Sequence, residues 1–246
     1  MVWILLFFVA MWAGAQNALA GGGSFLILPT LMYLGMDARA ANITSCAALF
    51  PAHVATGWTG RAHADGTQGL SLRALFIISI FGGAIGAVIL LYTPSSFFAR
   101  LVPFLVLFAT AVFAWGSFFR KPTDVDVHLN RLGAGLAQFL ISIYGGYFGG
   151  GIGFLMVAAL TMAGQNVRIA SATKNVLAGV MNASAVAIFV FSPDLHWGSA
   201  VVTSIGATIG GVAGARMLQH VDEKILRIVV IVIGVALTIG LFEQAI

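Results

Sequence analysis

The chain has 246 residues, 60% of them hydrophobic and only 8% charged, where an ordinary water-soluble domain carries about a quarter charged residues. So few charges cannot cover a water-facing surface, which excludes a soluble globular protein. The formal net charge of +4 does not indicate nucleic acid either, because the basic residues stand singly or in pairs at the ends of apolar stretches, where they anchor helices at a membrane surface.

The first apolar stretch, 1–20, ends in Ala18-Leu19-Ala20, which looks like a signal-peptidase site. It lacks a basic leader and carries Gln16 and Asn17 just ahead of that point, so it reads as a retained membrane helix. Further crossings are expected at about 39–59, 71–91, 99–118, 132–148, 168–191, 197–217 and 225–243. The result is an all-α integral membrane protein of about eight transmembrane helices. The most polar segment, 120–131, contains Pro122 and is the natural linker between a first transmembrane repeat, 1–119, and a second, 132–246.

Two uncharged runs, 1–36 and 132–167, are too long for one crossing, since each would span about 54 Å as a single helix. Both contain a glycine cluster: Gly21-Gly22-Gly23 in one, Gly149-Gly150-Gly151 followed by Gly153 in the other. A helix break is therefore expected after the first helix of each half. Beyond each break, about a dozen apolar residues cover half a membrane thickness before the next charge.

The halves resemble each other in four blocks that keep their order. Gly35-Met36-Asp37-Ala38-Arg39-Ala40-Ala41 aligns with Gly164-Gln165-Asn166-Val167-Arg168-Ile169-Ala170, and Thr44-Ser45-Cys46 with Thr173-Lys174-Asn175. Gly82-Gly83-Ala84-Ile85-Gly86-Ala87 matches Gly210-Gly211-Val212-Ala213-Gly214-Ala215, and Phe98-Ala99-Arg100-Leu101-Val102 matches Ile225-Leu226-Arg227-Ile228-Val229. Duplicated halves are typical of secondary transporters, inverted when each half makes an odd number of passes and parallel when even.

Broken helices at membrane depth expose backbone groups, which are tolerated where they line a cavity or are buried in protein. Half-helices opened by Ser24 and by Ile152-Gly153 would point their N–H groups and positive dipole ends at the break, an arrangement that favours an anion. The competing reading is close helix packing by small residues, and it is the favoured one for Gly82/Gly86 and Gly210/Gly214. Lys174 is the sharpest single residue, with two readings: an ammonium that neutralises a bound oxyanion, or a side chain that snorkels to the headgroups. Asn175 and Asn182 can share its helix face. His53 takes the place of Asn182 in the first half, with two readings, a proton carrier or a satisfied packing residue, and Thr44 and Ser45 lie on the same helix. Gln16, Asn17 and Tyr144 precede the glycine clusters and offer polar groups to a pocket. Arg39 and Arg168 read as interface anchors, with a gating or salt-bridge role as the alternative and Asp37 as a local partner for Arg39. Trp3, Trp12, Trp58, Trp115 and Trp197 read as an aromatic belt.

Enzyme signatures are missing: no metalloprotease helix motif, nucleophile elbow, phosphate loop or paired-cysteine motif occurs. The five histidines are scattered, and the single cysteine, Cys46, reads as a packing residue. No metal, cofactor or nucleic acid is expected.

The run G-G-G-S-F-L-I-L-P-T-L-M-Y-L-G-M-D-A-R-A-A-N-I-T-S, echoed by G-G-Y-F-G-G-G-I-G-F-L-M-V-A-A-L and R-I-A-S-A-T-K-N, resembles the sulfite exporter TauE/SafE family over nearly the whole chain. The resemblance implies a multi-pass protein of the cytoplasmic (inner) membrane that moves sulfite, sulfonates or other sulfur-containing organic anions such as sulfoacetate, commonly outward. The second half departs from the pattern, with an extra residue after its glycines and Val157-Ala158 where the first half has Leu28-Pro29. The expected mechanism is alternating access around a midplane anion site. Its candidate binding residues are Asn17, Gly21, Gly22, Gly23, Ser24, Thr44, Ser45, Tyr144, Gly149, Gly150, Gly151, Thr173, Lys174, Asn175 and Asn182, with His53, Arg39 and Arg168 for coupling or gating. The alternatives are a passive anion channel and a transporter of a small carboxylate. The expected partners are the lipid bilayer, the anionic substrate, a coupled proton or other ion, and a second copy of the chain in a homo-oligomer.

Overall fold

The computed structural model describes residues 2–19, 22–118, 129–217 and 223–245, and these are helical, with no strand among them beyond an isolated bridge between Thr67 and Leu70. In chain order the helices are α1 (Val2–Leu19), α2 (Ser24–Tyr33), α3 (Ala38–Gly60), α4 (Leu72–Tyr92), α5 (Ser95–Phe118), α6 (Arg131–Tyr147), α7 (Ile152–Met162), α8 (Val167–Phe189), α9 (Trp197–Met217) and α10 (Glu223–Ala245), with a 3₁₀ turn at Arg61–His63. Each of the eight expected crossings coincides with one of them. The other two, α2 and α7, are the short helices that follow the glycine clusters, and they open at Ser24 and Ile152. Gly21, Ala20 and most of the polar linker lie outside the described residues.

Leu72–Tyr92, Ser95–Val112 and Val167–Phe189 are long and apolar enough to cross a membrane, and shorter apolar stretches occur in α1, α2, α7, α9 and α10. Large apolar side chains cover the outside, among them Ile77, Phe81, Phe104, Val201 and Ile209, while Gln138, Ser142, Thr173 and Asn182 are buried. That distribution suits a hydrocarbon solvent and would be unstable in water. The five tryptophans all face outward, and the Arg61 guanidinium stacks 3.4 Å over the Trp58 ring.

The first hairpin enters and leaves at one end of the bundle. α1 begins where the Trp3 ring meets Gly198 at the start of α9, and α2 returns to that same end, where the Asp37 side chain caps α3. The chain then runs through α3, α4 and α5 end to end, so α6 starts at the opposite end. There Leu129 N–H donates to the Met162 carbonyl at the end of α7. The hairpin of α6 and α7 thus enters from the other side.

α3 and α8, which correspond in the sequence alignment, cross antiparallel at the centre. Cys46 touches Asn182, the His53 carbonyl lies by Gly179, Gly57 lies by Asn175, and Gly60 lies by Ala172. Other contacts come in matching pairs: α1 packs along α9 as α6 packs along α4, and α3 meets α9 as α8 meets α4. Glycine makes the first pair of contacts possible. A Cβ on Gly210 would sit 1.7 Å from the Met11 carbonyl oxygen, and one on Gly86 would sit 2.1 Å from that of Ile143. Together with Gly82, which faces Ser142, these glycines are close-packing positions.

Candidate functional site

The two breaks meet inside the bundle. In the second, the chain leaves α6 through Phe148 and turns at Gly149 and Gly151, both in the left-handed region at φ +79° and +74°. A side chain at Gly151 would be strained and would also press on Ala109 of α5. The Tyr144 hydroxyl donates to the Gly150 carbonyl at 2.9 Å, and its ring packs edge-on against Phe108 and Phe148. Phe25, in the first turn of α2, lies 3.0 Å from where Gly150 would carry a Cβ. The Phe25 ring thus links the start of α2 to the second break, and from there the two half-helices run toward opposite ends of the bundle.

Neither half-helix has a side-chain cap, although α3, α4, α6 and α8 are capped by Asp37, Ser71, Asn130 and Asn166. Two N-termini without a side-chain cap concentrate positive partial charge. At the first, Gly22 takes φ +85°, and the Gly23 N–H reaches the Asn17 side-chain oxygen at 3.5 Å, the long limit of a hydrogen bond. Ser24 is half-buried there.

Lys174 adds a full charge. From α8 its side chain lies along the first turn of α7, with Cδ 3.4 Å and Nζ 3.7 Å from the point where Gly153 would carry a Cβ. It is half-buried and makes neither a hydrogen bond nor an ion pair among the described residues. An ammonium beside the positive end of a helix is electrostatically uncompensated, and an anion in the same space would relieve both. His53 is half-buried on α3, with its carbonyl beside Gly179 of α8. Among the described residues no three His, Cys, Asp or Glu side chains are grouped to hold a metal.

Other residues of the expected site are engaged elsewhere. The buried Thr173 hydroxyl accepts from the Asp65 N–H at 3.0 Å and donates to the Asp65 carbonyl at 3.2 Å. Thr44 Oγ1 accepts from the His196 N–H at 3.2 Å. Both threonines thus dock a connecting loop onto a helix. Asn182 is buried, accepts from the Cys46 thiol at 3.1 Å and donates to the Ala178 carbonyl. Asn175 makes no side-chain hydrogen bond among the described residues, and its carbonyl faces Gly57. Ser45, which takes the place of Lys174 in the first half, has a buried hydroxyl with no partner among the described residues, and the buried Gln16 amide has none there for either atom.

Arg39 and Arg168 lie at opposite ends of the bundle, away from the breaks. The partner of Arg39 is Asp194, at 2.8 Å, and not Asp37, whose carboxylate is taken up by the Arg39 and Ala40 N–H groups and the Ser95 hydroxyl. Helix geometry explains the correction: an N-cap carboxylate turns back over its own first turn, while the long guanidinium reaches outward. Sequence reasoning missed Asp194 and Asp65. The signal was available, since the same number of positions separates Asp65 from Asp194 as separates Arg39 from Arg168.

The family described as sulfite exporter TauE/SafE matches residues 6–241. The chain is 28% identical over 243 residues to a probable membrane transporter protein of Haemophilus influenzae, covering 95% of this chain and 92% of that one. It is 28% identical over 248 residues to the probable membrane transporter protein ORF9 of a Sinorhizobium species, with 97% and 92% covered. To the probable membrane transporter protein YfcA of Escherichia coli K12 it is 27% identical over 247 residues, with 98% and 90% covered. No solved structure matches.

Proposed function

The chain belongs to the sulfite exporter TauE/SafE family, and from that premise we propose that this membrane transporter carries a small sulfur-containing anion out across the cytoplasmic membrane. One observation supports the anion above all: the uncapped N-termini of α2 and α7 meet at Phe25 and Gly150, with the unpaired Lys174 ammonium beside Gly153. A sulfite or sulfonate group has three oxygens able to accept from several N–H donors at once, and its charge offsets that of Lys174. The binding groups are then the backbone at Gly22, Gly23, Ser24, Gly150, Gly151 and Gly153, with Lys174 as counter-ion and Tyr144 holding the second break in shape.

Halves that enter from opposite ends and cross through antiparallel α3 and α8 are inverted relative to each other, the arrangement in which rocking of one set of helices exposes a central site alternately to each side. The driving force is the substrate gradient, the membrane potential or a coupled ion, with His53 as the candidate titratable group for proton coupling.

The test is uptake into liposomes of purified protein, with labelled sulfite and sulfoacetate compared across wild type, Lys174→Gln and Gly153→Leu. Saturable uptake with counterflow, lost in both variants while both remain folded, supports the proposal. Ohmic current without counterflow points to a channel, and uptake of a small carboxylate in place of both sulfur anions overturns the substrate class.

A further inference from the structure

At one end of the bundle, Arg39 ties three elements together. Its guanidinium pairs with Asp194 in the turn between α8 and α9, and donates to the Leu91 and Thr93 carbonyls at the end of α4, at 3.2 and 3.0 Å. The corresponding residues at the other end are Arg168, near the start of α8, and Asp65, in the turn after α3. The docking around them is the same in kind: Thr173 holds the Asp65 turn as Thr44 holds the turn at His196.

The ion pair is not repeated. Arg168 and Asp65 are both exposed, and among the described residues no ion pair joins them and the Asp65 carboxylate accepts only from the adjacent Gly66 N–H. Two ends assembled from matching parts thus differ in this ion pair. The Thr173 hydroxyl holds the Asp65 backbone against the first two turns of α8, the helix that carries Arg168.

We infer that the two pairs are alternating latches. Arg39–Asp194 holds one end closed in this conformation. Arg168–Asp65 forms, and Arg39–Asp194 parts, when the opposite end closes. Each latch joins one half of the chain to the other, so relative movement of the halves makes one as it breaks the other. The inference rests on the alternating-access reading above and adds the residues that set the balance between its two states.

Reconstituted full-length protein carrying Arg168→Glu or Asp65→Arg, alone and together, provides the test, with uptake of labelled sulfite as the flux readout. Each single charge reversal is expected to slow maximal flux roughly fivefold, the scale of an exposed ion pair at the strong end of its range, and the double reversal to restore it. Because both side chains are exposed in this conformation, neither change should disturb folding. Single variants with wild-type flux, or a double variant as slow as the singles, overturn the latch. A short bifunctional thiol reagent on Asp65→Cys/Arg168→Cys in a Cys46→Ala background gives a second readout independent of the transported anion. Cross-linking at that pair supports the closed second end, and its absence in folded protein with active flux overturns the latch while leaving the transporter reading intact. If wild type moves no sulfite yet the pair cross-links, it is the substrate assignment that fails.

Discussion

Lys174 reaches from α8 to the first turn of α7, and its ammonium lies 3.7 Å from where a Cβ on Gly153 would be. Two positive sources, a side-chain charge and a helix end, share one space, and Lys174 makes no ion pair among the described residues. Lys174→Gln keeps length and polarity but removes the charge. Saturable anion uptake should fall at least about tenfold, the cost of roughly 1.4 kcal/mol in a charged hydrogen bond, while circular dichroism and elution volume stay those of wild type. Unchanged uptake with unchanged fold would remove Lys174 from the site.

Gly153 permits a graded version of the same test. A methyl group there meets Lys174 at ordinary contact distance, so Gly153→Ala should fold normally and weaken binding only a few-fold. Gly153→Leu fills the space beside the ammonium and should abolish uptake. The informative quantity is KM in the alanine variant. A lowered maximal rate at constant KM would place Gly153 in the moving parts of the protein instead of at the anion.

Helix positions were legible in the sequence because each is an apolar run bounded by charge or glycine, and hydrocarbon thickness limits where such a run can start and stop. The half-helices were legible for the same reason: two uncharged runs exceeded one crossing, and each carried a glycine cluster about where a break was required. What a single sequence does not reveal is which side of a helix faces which neighbour. Thr44 and Thr173 looked like substrate ligands but turn toward connecting loops, and Asn182 turns to Cys46 on α3. Those directions follow from the rotation of α3 against α8, which depends on the packing of glycines such as Gly57 and Gly179, not on local pattern. Arg39 had a carboxylate two residues away in Asp37, yet its ion-pair partner lies in the other half of the chain.

Asp37 yields a prediction about pH. Burial alone would raise its carboxyl pKa, but hydrogen bonds from the Ser95 hydroxyl and the Ala40 and Arg39 N–H groups, together with the Arg39 charge, hold it below the ordinary value of 3.8. A lowered folded value means that the group stabilises the fold fully above pH 3.8 and that this contribution is lost as pH falls through the folded value. Asp37→Asn keeps a capping oxygen but has no charge. Wild type should unfold at a higher temperature than Asp37→Asn at neutral pH, and the two should converge as pH drops below about 4. A gap that does not narrow at all as pH falls below 3.8 would show that shape, and not charge, makes the difference.

Arg39 and Asp194 share one ion pair but should not be equivalent in stability. Removing Asp194 leaves the guanidinium its bonds to the Leu91 and Thr93 carbonyls and a side chain about a quarter exposed, at 24%. Water and salt screen such a pair, so Asp194→Ala should cost less than about 1 kcal/mol. Removing Arg39 strips two carbonyls at the end of α4 of their donor, removes a cation from the negative end of that helix, and leaves Asp194 without its partner. Arg39→Ala should therefore cost about 1–3 kcal/mol. Arg39→Lys should recover only part of this, because one ammonium cannot reproduce the fork that serves a carboxylate and two carbonyls at once. Thermal unfolding of the three variants in detergent would order them, with Arg39→Ala least stable. If Asp194→Ala is as destabilised as Arg39→Ala, the ion pair alone carries the contact, and the bonds to α4 contribute little.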